Sequence, residues 1–344
     1  MLTFTLLALV CEIGPAQVYR QVDPPAPILS LPVDNGNSAA FDPFQAPTSQ
    51  PGRLQIMETL RIPLGSWGDP NMWAPQELNS TTIKRFRQSF VQRAELATTF
   101  IARNEENGIG LLSASTNVML TAPLGSNDSV LAVTPRYAAD WLNGPEFIDV
   151  PSFLQGASVD IGWRRIINQK WTFLAGIQPG YYNDRFSNTE AFRMAALAQL
   201  TYQVTPEKLS VTLGIADLDQ ADYGIVPNVG ITWIPNPTTR FDLVFPEPKI
   251  SRRVGHIPYL LEDWIYTAIS FGGGTWAVQR ASGFDDVLNL RDFRITIGFE
   301  RLLNGGSGFE VEAGYVFTRY MEYQSSQIRY DLPESFMFAA GIRF

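Results

Sequence analysis

The reading of the chain turns on its last eleven residues, Glu334-Ser-Phe-Met-Phe-Ala-Ala-Gly-Ile-Arg-Phe344. In an extended strand successive side chains point to opposite faces. Phe336, Phe338, Ala340, Ile342 and Phe344 then share one face, and Ser335, Met337, Ala339, Gly341 and Arg343 share the other. One face is large and apolar; the other is small or polar. In a water-soluble sandwich the apolar face would meet a second sheet. Repeated in series with aromatics at strand ends, the pattern instead suits a membrane-spanning barrel, apolar toward lipid and polar toward the lumen.

The repeat runs upstream to about residue 91. Leu131, Val133, Tyr137 and Trp141 alternate with Thr134, Arg136 and Asp140; Val159, Ile161 and Trp163 with Asp160, Gly162 and Arg164. Phe293, Ile295, Ile297 and Phe299 oppose Arg294, Thr296, Gly298 and Glu300, and Phe309, Val311 and Ala313 oppose Glu310, Glu312 and Gly314. The runs are about ten residues long, the length a tilted strand needs to cross a bilayer. Short joins such as Thr205-Pro-Glu207, Pro235-Asn-Pro237 and Asn304-Gly-Gly-Ser307 alternate with longer ones near 142–152, 183–190, 218–224, 279–290 and 321–333. Short turns at one barrel end and long loops at the other are expected of outer-membrane barrels. The alternation fails at 246–262, and Trp264–Val278 is irregular and glycine-rich at 272–274. Thirteen strands can be counted directly, and an even number is needed to return both termini to one side. A strand hidden in Lys249–Tyr259 makes fourteen; dropping the first makes twelve. The predicted fold is all-β, an antiparallel up-and-down transmembrane barrel of 12–14 strands over residues 91–344.

Composition narrows the function classes. The 344 residues carry a net charge of −8 without a basic run, which argues against nucleic-acid binding. Only 17 % are charged and 12 % are aromatic, against a typical charged fraction of about 25 %. A mean hydropathy of −0.04 excludes a helical membrane protein but not a barrel, in which only alternate strand residues need be apolar. A single cysteine, Cys11, excludes a disulfide framework and a cysteine-based zinc site.

Residues 1–16 read as a signal peptide, with an apolar run at 3–10 and small residues at Gly14-Pro15-Ala16. Residues 17–90 read as a periplasmic Pro-rich linker, with prolines at 24, 25, 27, 32, 43, 47 and 51 and room for one short helix over 77–90.

The terminal Gly341-Ile-Arg-Phe344, preceded by Phe336 and Phe338, resembles the C-terminal targeting strand of bacterial outer-membrane β-barrel proteins. The whole span 91–344 resembles uncharacterised barrels of that class. The resemblance implies export to the periplasm, insertion by the barrel assembly machinery and a surrounding of outer-membrane lipids; it implies no substrate and no cofactor.

Chemistry is sparse. His256 is the only histidine, so any histidine-dependent mechanism runs through it, with Glu262 and Asp263 near in sequence and no serine motif beside it. No catalytic residue is assigned. Asp222 and Asp285-Asp286 lack calcium-loop spacing, and no metal site is assigned. The candidate site is the lumen, onto which Arg136, Asp160, Arg164, Arg193, Arg294, Glu300, Glu310, Glu312 and Arg343 project. Mixed charges there either pair and fill the interior or line a pore and set its ion preference. The expected function is a passive channel for small solutes or ions; a plugged structural or adhesive barrel is the alternative, and a lipid-modifying enzyme using His256 the third. The turn at 304–307 places Glu310 beside Glu300 and Glu312 beside Thr296 or Gly298. Arg343 and Arg164 are the arginines expected to compensate that acidic patch.

Overall fold

The computed structural model describes residue 83 and residues 89–126, 128–217, 224–326 and 329–344. The expected signal peptide and most of the Pro-rich linker, including its short helix, lie outside the described residues, as does Asp222.

Fifteen strands follow in chain order: β1 (Val91–Ile101), β2 (Gly110–Pro123), β3 (Ser129–Asn143), β4 (Phe153–Ile166), β5 (Trp171–Asn183), β6 (Phe192–Thr205), β7 (Leu209–Asp217), β8 (Ile225–Asn236), β9 (Thr239–Val244), β10 (Lys249–Ile257), β11 (Leu261–Gln279), β12 (Asp285–Leu303), β13 (Gly308–Tyr323), β14 (Arg329–Leu332) and β15 (Ser335–Arg343). Each strand from β1 to β13 pairs antiparallel with its neighbour in sequence, and β15 sits between β1 and β13. Together with the β12–β13 pairing this closes a ring of fourteen strands, leaving no sheet edge. The four-residue β14 is outside the wall, on the upper part of β13. The count is therefore fourteen, not twelve. The hidden strand is β10, obscured by a bulge between Arg253 and Gly255 that breaks its alternation.

Both wall termini and the short joins lie at one end, here the turn end. The longer connections lie at the other, the loop end. The sequence alternation failed near 246–262 because β9 and β10 are joined at the loop end by only residues 245–248.

The faces are sorted by solvent. In β15 buried and exposed residues alternate without a break, with Phe336 59 % and Phe338 60 % exposed outside and Met337 1 % exposed inside. On β12 Ile297 is 71 % exposed while its neighbour Thr296 is 5 %. Aromatic pairs on the outer surface form two belts. Trp163–Phe173, Trp171–Tyr202, Trp233–Phe241 and Phe299–Phe309 mark the turn end; Trp141–Phe153, Phe293–Phe317 and Tyr315–Phe336 mark the loop end. Trp141 lies in one belt, and Leu131, ten positions down the same strand, pairs with Trp163 in the other. At about 3.3 Å per residue and a tilt of about 40°, that span covers about 25 Å, the height of a bilayer-facing apolar band. Among the described residues no helix is long and apolar enough to cross a membrane.

The interior is not uniformly polar. Leu174, Ala195, Leu197 and Ala216 pack together on the inner face of β5–β7. The long loop expected at 279–290 is also absent: β11 and β12 run on as paired strands to Gln279 and Asp285.

Candidate functional site: the lumen and its cover

The β12–β13 ladder brings Glu300 opposite Glu310 and Gly298 opposite Glu312. Arg343, on the adjacent β15, donates to Glu300 at 2.6 Å and to Glu310 at 2.7 Å. All three side chains are buried. Two carboxylates side by side repel, and a guanidinium between them turns the repulsion into two charge-assisted hydrogen bonds. Tyr266 on β11 donates to Glu312 at 2.6 Å, reaching across β12 at Gly298. A methyl group at 298 would meet the Tyr266 ring at 2.2 Å, so the glycine creates that path. Arg164, the other arginine expected to compensate the patch, is buried on β4, four strands from β15 around the ring.

Several other inward charges pair locally. Arg136 donates to Asp160 at 3.0 Å, Arg240 to Asp242, and Arg253 to Glu262 at 2.9 Å. Arg294 holds Asp292 through Nε at 2.6 Å and Nη2 at 3.0 Å. A methyl at Gly272 would stand 2.0 Å from Asp292 Oδ1, so that glycine makes room for the pair. Arg193 projects inward near the loop end of β6, partly exposed. Uncharged pairs fill the gaps: Gln178 with Ser158, Asn228 with Gln199 and Thr201 with Thr212.

His256 faces inward near the turn end, opposite Glu262 in the β10–β11 ladder. Both Glu262 oxygens are already engaged, one by Arg253 and the other by Trp264 Nε1 at 3.0 Å. Among the described residues no group of three acidic, histidine or cysteine side chains is arranged to hold a metal ion. At the same end Ile83 packs against Trp264 and Leu302, both on the inner face of the wall.

The loop end carries a feature that sequence reasoning missed. At one height across three strands the ladder is irregular: Gly273 has a φ of +95°, the β12–β13 register shifts between Arg291 and Phe293, and Thr318 has a φ of +50°. Bulges bend strands, and above this line the β11–β12 hairpin leaves the wall. Ala277 pairs with Asn183 of β5, a strand six places away around the ring, so the hairpin must cross the mouth to reach it. The far side fastens it. Asp184 N donates to Ala277 O at 3.1 Å, and Gln279 N to Asp184 Oδ2 at 2.7 Å. Arg280 pairs with Asp149 at 2.8 Å and with Asp286 at 3.2 Å. Thr189 donates to Asp285 at 2.9 Å.

Beneath this cover lies an apolar cluster of Ile109, Leu142, Ile148, Leu154, Tyr182, Trp276, Val278, Leu288, Met321, Tyr323 and Leu332. It draws on loops and strands from around the rim, as the core of a water-soluble domain would. Arg319 ties two rim segments together by donating to Ile109 O at 2.7 Å and Pro333 O at 3.1 Å. The sequence signal was present: Trp276, Val278, Leu288 and Leu290 are apolar residues placed beyond the bilayer span, where an open mouth would expose them.

No family model and no curated protein matches the chain. Among solved structures it is similar to LpxR from Salmonella typhimurium, with 9 % identity over 73 % of this chain and 99 % of that one, at a TM-score of 0.34. It is also similar to the β-domain of the Bordetella autotransporter BrkA (11 % identity, 74 % and 99 % coverage, TM-score 0.32) and to the NanC porin (9 % identity, 73 % and 98 % coverage, TM-score 0.30). Ring closure, the two aromatic belts, the apolar outer band and the return of β1 and β15 to the turn end give the chain the architecture of a transmembrane β-barrel of fourteen strands.

Proposed function

We propose that this outer-membrane barrel holds a small solute in a covered lumen rather than conducting freely at rest. The observation that carries the reading is the β11–β12 hairpin lying across the mouth on an apolar cluster, fastened to the opposite rim through Asp149 and Asp184. Water and ions do not pass through an apolar core packed like a soluble domain. The buried, locally paired charges below support the same reading, because a water-filled pore would leave such side chains exposed to solvent. Transport of small solutes then requires the hairpin to lift, so the passive channel expected from the sequence becomes a covered one. The third reading gains no geometric support, since His256 faces a carboxylate already engaged on both oxygens.

Liposome swelling tests the proposal. Vesicles carrying the purified protein should swell in small sugars no faster than empty vesicles, and faster once residues 275–287 are replaced by a short glycine-serine turn. Rapid swelling with the intact chain would overturn the covered-lumen reading.

A further inference from the structure

We infer that the outer wall over β4–β7 binds one phospholipid of the leaflet at the turn end, with its phosphate on Arg165 and one acyl chain in a groove. The inference goes beyond the covered-lumen reading and does not depend on it. A groove of about 380 Å³ crosses these strands on the lipid-facing side, within the range of about 300–1,000 Å³ typical of small-molecule sites. Two rows of outward residues build it. In one, ladder pairing sets Trp163 beside Ala175, Ala175 beside Ala198 and Ala198 beside Ile215. In the next row toward the loop end, Ile177 stands beside Ala196 and Ala196 beside Asp217.

Ala175, Ala196 and Ala198 form the floor, between the belts where β12 carries Ile295 and Ile297. Trp163 forms one side and is held there: Nε1 donates to Ser129 Oγ at 3.0 Å, and the ring packs edge-on to Phe173 with centroids 5.8 Å apart. Ile215 forms the other side. Lipid tails are as apolar as these side chains, so apolar burial alone selects no occupant. Shape does. A depression facing lipid forfeits van der Waals contacts unless something fills it. The convex wall of a second barrel would bridge the two sides, whereas a flexible alkyl chain follows the floor.

The charges at the two ends of the groove set the direction of the lipid. Asp217 lines the loop end. Arg165 is the next outward position on β4 past Trp163 toward the turn end, exposed and opposite Phe173 of the belt. Lys170 is exposed in the turn that follows, and Asp128, in the turn before β3, bonds to Ile166 N through its carbonyl. These three groups together are net positive. An arginine beside an aromatic belt rests its stem on apolar wall and presents its charge to headgroups. Its guanidinium takes a phosphate through two parallel hydrogen bonds. At the other end a phosphate would meet the Asp217 carboxylate, which disfavours it.

Native mass spectrometry of the full chain released from detergent micelles tests the assignment. The probes are phosphatidylglycerol and, as its phosphate-free counterpart, diacylglycerol with the same chains. One phosphatidylglycerol should bind saturably, about fivefold tighter than diacylglycerol, the scale of one basic side chain at an anionic lipid surface. Arg165→Gln should remove that difference and leave diacylglycerol unchanged. Ala198→Trp fills the floor and should weaken both lipids. Both substitutions lie on the outer surface, and the heat-dependent gel shift of a folded barrel is the control for each. No saturable first lipid, equal binding of the two probes, or phosphatidylglycerol binding unchanged in either folded variant would overturn the site. A lipid-free dimer broken by Ala198→Trp would assign this face to a second copy and overturn it as well.

Discussion

Arg280→Ala attacks the fastening of the hairpin at its most connected residue. The guanidinium pairs with Asp149 on the opposite rim at 2.8 Å and lies 3.6 Å from the centre of the Tyr323 ring on β13; its pair with Asp286 at 3.2 Å is internal to the hairpin. Its side chain is 22 % exposed, so solvent screens part of each interaction. Partly exposed ion pairs contribute about 0.2–1 kcal/mol each and a cation–π contact about 0.5–1 kcal/mol. Allowing for non-additivity, the substitution should cost the closed hairpin about 1–2 kcal/mol, a rise of roughly 5- to 30-fold in the lifted population. Amide hydrogen exchange in lipid nanodiscs reads this directly. The amides of Asp184 and Gln279, which close the hairpin onto the β5–β6 loop, should exchange faster by that factor. Amides of the β1–β15 ladder should not change. Equal exchange at Gln279 in both proteins, or acceleration spread over the whole barrel, would refute the hairpin as a separately fastened element.

Three further predictions follow from the same geometry. Arg343→Gln leaves Glu300 and Glu310 facing each other in a buried site, and breaking such a pair should cost about 3–5 kcal/mol; urea unfolding in detergent should show the loss, largely relieved when Glu310→Gln is added. Ile297→Arg, on the lipid face between the aromatic belts, should cost up to about 2–4 kcal/mol in vesicles, and a negligible cost there would mean that this face does not see lipid. The hairpin should also loosen in acid. Burial of Asp286 works against its charge, but hydrogen bonds from Ser325, Val287 and Arg280 outweigh it and hold the carboxyl below the usual carboxylate range. A lowered folded-state value stabilises above the unfolded value of about 3.9 and is lost as pH falls through the folded value. The protection factor at Gln279, its exchange relative to an unstructured amide at the same pH, should therefore fall below about pH 4 and stay flat from pH 5 to 8.

The wall was legible because lipid imposes a strict period of two. Ile295 and Ile297 must be apolar and Thr296 need not be, and the registers of Glu300 with Glu310 and Glu312 with Gly298 follow from a four-residue turn. Where that constraint ends, so does the legibility. Residues 285–292, Asp-Asp-Val-Leu-Asn-Leu-Arg-Asp, do not alternate because β12 there is covered on both faces, and the segment reads as a loop. Gly272 and Gly298 serve neighbours on other strands, Arg294 with Asp292 and Tyr266, and only the three-dimensional ladder shows which. Arg294 could be placed inside the lumen from its parity alone. The cavity that it lines depends on the hairpin folding inward at Gly273, which no local pattern specifies.

The central claim is that the hairpin closes the barrel, and single-channel recording in planar bilayers tests it most directly. The intact chain should show no stable open level, and the variant with residues 275–287 replaced by a short turn should show a steady one. A persistent open level in the intact chain, unchanged by shortening the hairpin, would contradict the account.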